Sequence, residues 1–239
     1  MNRTKTLIFN TALLTVVSII VSVISMFFNI YIAKKIGAEA MGVFSLVMSV
    51  YMFAMTLAVS GIGLASTRLV AEELAFGRAG GAKRAARRCL IYALIMGTIA
   101  SALLIMSAEF IGTHFLHSKL TIRPLIALAI SLPFVAMSAS LTGYFNAVRQ
   151  VIRSGAGQVL EQFIKIFACA EFLAFLLAEQ GLEMACFAIV LGGVVAEIAG
   201  FIYRYIVYLM GRKKIIGADA IGDNIGGRML SIAVPVPFV

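Results

Sequence analysis

A chain of 239 residues that is 62% hydrophobic and only 13% charged, with a mean hydropathy of +1.02, is too apolar for a water-soluble domain, which runs at roughly 45–50% apolar and about 25% charged. The net charge of +9 and the absence of tryptophan do not describe a nucleic-acid surface, because the charges lie between apolar runs rather than across a face interleaved with stacking aromatics. Anionic lipid headgroups are the expected counter-charge.

The basic start, Met1 to Lys5, is followed by an apolar run from Leu7 to Ala33. That run exceeds the roughly 7–15 residues of a signal-peptide core and contains no small-x-small cleavage site, so it is expected to remain as a span. Five more stretches reach the length of about 20 mostly apolar residues that a bilayer requires: Val43–Thr67, Cys89–Phe110, Leu125–Ala147, Val159–Leu177 and Met184–Leu209. The expectation is an all-α, polytopic transmembrane bundle of six spans over residues 1–210. A Gly-rich cytoplasmic linker follows at 211–228, and residues 229–239 are too few to cross a bilayer.

Basic residues set the expected orientation. Fifteen Lys and Arg fall at the amino terminus, in the second and fourth loops and in the final segment, counting Arg204 near the end of the sixth span with that segment, against four in the alternate loops (Lys34, Lys35, Lys119, Arg123). The positive-inside rule then puts both termini in the cytoplasm. The run Lys83–Arg88 reads as a juxtamembrane stop signal beside anionic lipid rather than a nuclear-localisation patch. Cys89, Cys169 and Cys186 lack metal or redox spacing and read as small core residues. His114 and His117 read as solvated loop residues.

Two spans carry polar stripes. Thr11, Thr15, Ser18, Ser22, Ser25 and Asn29 recur at alternating intervals of four and three, which is one helical face. Ser45, Ser49, Thr56, Ser60, Gly63 and Thr67 repeat the pattern less completely. Either the stripes pack against other helices through small residues and weak interhelical hydrogen bonds, or they line a wet cavity.

The fifth predicted span contains Gln158, Glu161, Gln162, Lys165 and Glu171, and the sixth contains Glu197 and Arg204 on one face. A charge at mid-bilayer costs about 2.5–3.5 kcal/mol on insertion scales, so such residues mark ion or substrate pathways. Glu161 and Lys165, at i and i+4 in the favourable order, are also suited to a structural ion pair. Arg68 closes the second stripe, as an interfacial anchor or a phosphate ligand. Pro133 is expected to kink the fourth span, with Ser131 and Ser138 near the freed backbone groups. Gly192, Gly193, Ala196 and Gly200 form a small-residue surface for close helix contact. No hydrolase, metalloprotease, P-loop or dinucleotide motif is present, so no enzyme activity, cofactor or metal is expected.

The stretches NIYIAKKIGAEAMG (Asn29–Gly42), GIGLASTRLVAEELAFG (Gly61–Gly77), SLPFVAMSASLTGYFNAVRQ (Ser131–Gln150) and GQVLEQFIKI (Gly157–Ile166) resemble the amino-terminal half of the polysaccharide-transporter branch of the multidrug/oligosaccharidyl-lipid/polysaccharide (MATE-like) exporter superfamily, nearest to its sporulation members. The resemblance implies one lobe of a flippase in the bacterial plasma membrane that moves lipid-linked oligosaccharide or polysaccharide precursors by alternating access. It places Arg68 in a GxxxAxS-K/R-xVAEE stretch and Glu161, Gln162 and Lys165 in an EQ-xx-R/K stretch. Such transporters are about twice this length, so residues 229–239 read as the truncated start of a seventh span, and a second lobe or second copy is implied. The pathway candidates are Arg68, Glu161, Gln162, Lys165, Glu197, Arg204, Ser22 and Asn29. A cation-coupled multidrug exporter using Glu161 or Glu197, and a scaffold or inactive fragment, are the alternative readings.

Overall fold

The computed structural model describes residues 3–116, 118–176 and 182–212. Every regular element among them is helical: α1 (Arg3–Val59), α2 (Ile62–Ala75), α3 (Ala79–Phe110), α4 (Ile122–Ala147), α5 (Val151–Leu176) and α6 (Leu182–Arg212). A π-helical turn, Ile111–Phe115, extends α3, and a short 3-10 turn, Lys119–Thr121, leads into α4. The 211–228 linker and residues 229–239 fall almost wholly outside the described residues.

Among the described residues, four stretches are long and apolar enough to cross a membrane: Thr15–Ala75, Ala79–Phe115, Ile122–Ala147 and Met184–Gly211. The first, at 61 residues, is twice the length of one crossing at 1.5 Å per residue, and it is broken at two glycines. Gly37 takes φ 83°, ψ 169° inside α1, and Gly61 takes φ 71° between α1 and α2. Positive φ is costly for residues with a Cβ, so glycine is what lets the chain turn there without a loop. The separate spans expected at Leu7–Ala33 and Val43–Thr67 are thus two helices that meet at a kink at Gly37, and α2 carries the helical chain on from Gly61 to Ala75. α5 is not among the four apolar stretches; it carries Arg153, Glu161, Lys165 and Glu171.

The core forms where small residues let backbones approach. A Cβ on Gly97 of α3 would lie 2.6 Å from Cα of Pro133 in α4. Pro133 therefore serves as a packing contact for α3, and the Oγ of Ser131 nearby donates to the carbonyl of Leu128 at 2.8 Å. Gly143 of α4 abuts the Gly63 carbonyl of α2, where Ser66 Oγ donates to the Ser140 carbonyl at 2.8 Å and Thr67 Oγ1 to the Gly143 carbonyl at 3.1 Å. Val47, Tyr51, Ala54 and Ala58 of α1 are buried with Leu104 of α3, Leu128 and Leu132 of α4 and Val190 of α6. All three cysteines are buried, as small core residues should be. Outward faces are the reverse of a soluble protein: Phe53, Leu57, Leu103, Met106 and Phe175 are all more than half exposed, a surface that water does not tolerate over a whole domain and that acyl chains cover without cost.

Candidate functional site: a charged cavity between α5 and α6

α5 and α6 pack closely because Gly192 sits directly on Cys169, whose Sγ donates to the Ile189 carbonyl at 3.3 Å. Beside that contact, Gly193, the next residue, and Ala196, one turn on, leave a gap instead of filling it. The result is a cavity of about 310 Å³ lined by Glu161, Gln162 and Lys165 of α5, Glu197 and Arg204 of α6 and Val21 of α1. A second cavity of about 240 Å³ lies toward α4, lined by Ser138 and Thr142 and again by Glu161, Glu197 and Arg204. Those three side chains therefore stand as a partition between two spaces.

The partition is held by two polar knots. In the first, Arg204, with its side chain only 7% exposed, donates from one Nη to Glu161 Oε2 at 2.9 Å and makes a longer contact with Ser138 Oγ at 3.5 Å. Gly200 makes room for that carboxylate, since a Cβ there would lie 2.6 Å from Glu161 Oε2. The small-residue surface on α6 is thus not only a packing face. The i,i+4 pair of Glu161 with Lys165 that the sequence suggested does not form, because the rigid fork of a guanidinium on the facing helix meets the carboxylate directly. In the second knot, Tyr51 Oη donates to the Glu197 carboxylate, 2.9 and 2.8 Å from its two oxygens, and lies 2.8 Å from Ser131 Oγ. The Tyr51 and Ser131 hydroxyls have one proton each, and the contacts compete for them: Tyr51 faces both Glu197 and Ser131, and Ser131 faces both Tyr51 and the Leu128 carbonyl.

Lys165 makes no ion pair or hydrogen bond among the described residues, and the Nε2 of Gln162 is buried without a partner. Both line the larger cavity. These two donors are therefore unspent while the cavity's two carboxylates are engaged.

The other candidates lie elsewhere. Ser22 and Asn29 are exposed on the first leg of α1 and line a shallow groove of about 540 Å³ with Ser25; Val21 borders both that groove and the charged cavity. The second stripe lines neither charged cavity, and Ser49 and Thr56 bond back to the carbonyls of Ser45 and Met52 on their own helix. Arg68 is 62% exposed and paired with Glu72 at 3.1 Å, outside the cavity. Glu171 is exposed as well. His114 lies in the π-helical turn, exposed, stacked on Phe110 with ring centroids 4.8 Å apart.

Tyr51 is the site residue that sequence reasoning missed. Its signal was position: a tyrosine well inside an apolar span, away from the interfacial belts where tyrosines gather, has a hydroxyl that must find a partner in the protein. Tyr51→Phe keeps the ring and removes that donor. A loss of about 1–3 kcal/mol is expected, read as a lowered unfolding midpoint in detergent; an unshifted midpoint would show the hydroxyl to be idle.

Comparison with known proteins places this geometry. The family model described as polysaccharide biosynthesis protein matches residues 7–224. The chain belongs to that family. It is 26% identical over 212 residues to stage V sporulation protein B of Bacillus subtilis (strain 168), covering 87% of this chain and 41% of that protein. Among solved structures it is similar to a MOP superfamily transporter from Pyrococcus furiosus, with a TM-score of 0.72 at 18% identity over 93% of this chain and 50% of that one. It is also similar to a MATE transporter in a straight conformation, with a TM-score of 0.71 at 18% identity over 95% of this chain and 52% of that one. The fold is MATE-like, and the chain spans about half the length of these solved transporters and about two fifths of the curated relative.

Proposed function

We propose that this chain forms one lobe of a flippase that moves lipid-linked oligosaccharide or polysaccharide precursors across the bacterial plasma membrane by alternating access, crossing the membrane six times with both termini in the cytoplasm. The observation that carries the reading is the α5–α6 cavity: charged and hydrogen-bonding groups gathered inside a bundle whose outer faces are apolar, in a member of the polysaccharide biosynthesis family. A saccharide headgroup needs such an interior, while a prenyl tail is at home on the outside. The relatives' greater length supports a second lobe, or a second copy, as the other wall. Anionic lipids are the partners of the basic residues Lys83, Arg84, Arg87 and Arg88.

The cation-coupled exporter is the weaker reading, because neither carboxylate is free to take a metal ion: Arg204 holds Glu161 and Tyr51 holds Glu197. The deciding experiment is depletion of the gene, together with its native downstream sequence, in its own host. Lipid-linked saccharides are expected to accumulate on the cytoplasmic leaflet, and restoring the gene should clear them. Drug sensitivity without any such accumulation would replace the flippase with the exporter.

A further inference from the structure

We infer that Lys165, helped by the carboxamide of Gln162, binds the phosphoryl group of the lipid-linked substrate, and that Glu197 competes with the substrate for the same ammonium. This assignment rests on the flippase reading and narrows it to particular atoms.

Three cations are available from the sequence as phosphate ligands, Arg68, Lys165 and Arg204. Arg68 is exposed and already paired with Glu72. Arg204 is buried and tied to Glu161 through one Nη, and its unpartnered Nε lies where Gly157 packs against the side chain; recruiting it would strand a carboxylate. Lys165 faces the cavity with no anion in contact, and an ammonium of this kind offers three donors. Gln162, one turn before it at i−3, lines the same cavity with an unpartnered amide nitrogen. Two neighbouring donors without acceptors call for a ligand rich in acceptor oxygens, and a charge-assisted bond to a phosphoryl oxygen is the strongest they can make.

The carboxylates set the rest of the balance. Glu161 is neutralised by Arg204. Glu197 lines the same cavity as Lys165, while its direct hydrogen bonds go to Tyr51. An entering phosphoryl group therefore meets one uncommitted cation and one carboxylate that attracts that cation. Removing the carboxylate's charge should favour the ligand, and removing the ammonium should abolish it.

The test is equilibrium binding of farnesyl pyrophosphate to the purified 239-residue chain in phosphatidylcholine nanodiscs, with farnesol and inorganic pyrophosphate as separate arms and unfolding midpoints measured for every variant. Lys165→Met is expected to weaken farnesyl pyrophosphate binding at least about tenfold, Lys165→Arg to retain it, and Glu197→Gln, which can still accept from Tyr51, to tighten it several-fold. Glu171→Gln, on the exposed side of α5, should change nothing. Should Lys165→Met destabilise the chain, the sign of the Glu197→Gln effect still decides. Equal affinity in the wild type and Lys165→Met, or no tightening in Glu197→Gln, overturns the assignment and leaves the flippase reading standing. Farnesol binding as tightly as farnesyl pyrophosphate removes the phosphoryl from recognition, and inorganic pyrophosphate binding as tightly makes the site one for free phosphate. Failure of the wild type to bind farnesyl pyrophosphate overturns the assignment to Lys165, and the flippase reading is then decided by the depletion experiment alone.

Discussion

Arg204→Met is expected to destabilise the bundle by about 3–5 kcal/mol, because the guanidinium is nearly buried and its loss leaves the Glu161 carboxylate facing α6 without a counter-charge. Ser138 loses its contact in the same step. Glu161 retains 32% exposure through the cavities, so water relieves part of the penalty and the lower end of that range applies. The informative comparison is the double variant Glu161→Gln with Arg204→Met. Removing both charges together leaves no uncompensated ion, so the pair of changes should cost less than Arg204→Met alone. Unfolding midpoints in detergent for the wild type, both single variants and the double variant close a thermodynamic cycle. Additive losses would show that the 2.9 Å contact carries no coupling, and the partition between the two cavities would then need another explanation.

The same residues mark where sequence reasoning reached its limit. Helices are local, and their apolar runs were readable: the expected Leu125–Ala147 and Met184–Leu209 fall within the observed Ile122–Ala147 and Leu182–Arg212. Where the reading fell short, hydropathy had been asked a question about hydrogen bonding. α5 begins at Val151 rather than near Val159, since Arg153 and Gln158 end an apolar run without ending a helix. The breaks at Gly37 and Gly61 are backbone events inside or between apolar stretches, and composition passes over them. Charge pairing failed for a related reason. The i,i+4 rule finds Glu161 and Lys165 because it sees one helix, whereas the partner that wins, Arg204, is 43 residues away in sequence and adjacent only after α5 and α6 pack. The polar stripes were legible as periodicity, but a stripe does not say which neighbour it meets: the first flanks the charged cavity, and the second bonds largely to its own backbone.

Two adjacent glycines on α6 should respond in opposite ways. Gly192→Ala places a Cβ against Cys169, 2.7 Å from its backbone nitrogen and 2.8 Å from its Cα, so relief requires α5 itself to move rather than a side chain to rotate. Overpacking of this kind costs about 1–3 kcal/mol, and Gly192→Val should exceed that because a branched side chain cannot rotate away from the contact. Gly193, the next residue, has nothing within 4 Å of its Cβ position. Gly193→Ala should be neutral or stabilising, since alanine is the better helix former by up to about 1 kcal/mol, although its methyl group enters the cavity beside Lys165. The two variants thus separate bundle integrity from cavity occupancy. Gly192→Ala should lower the unfolding midpoint, and by moving α5 away from α6 it should loosen the Arg204–Glu161 contact as well. Gly193→Ala should leave the midpoint unchanged or raised and act, if at all, only on what the cavity holds. Equal midpoints for the two would mean that α5 and α6 do not meet at Cys169 as described, and the register that brings Glu161 opposite Arg204 would fall with that contact.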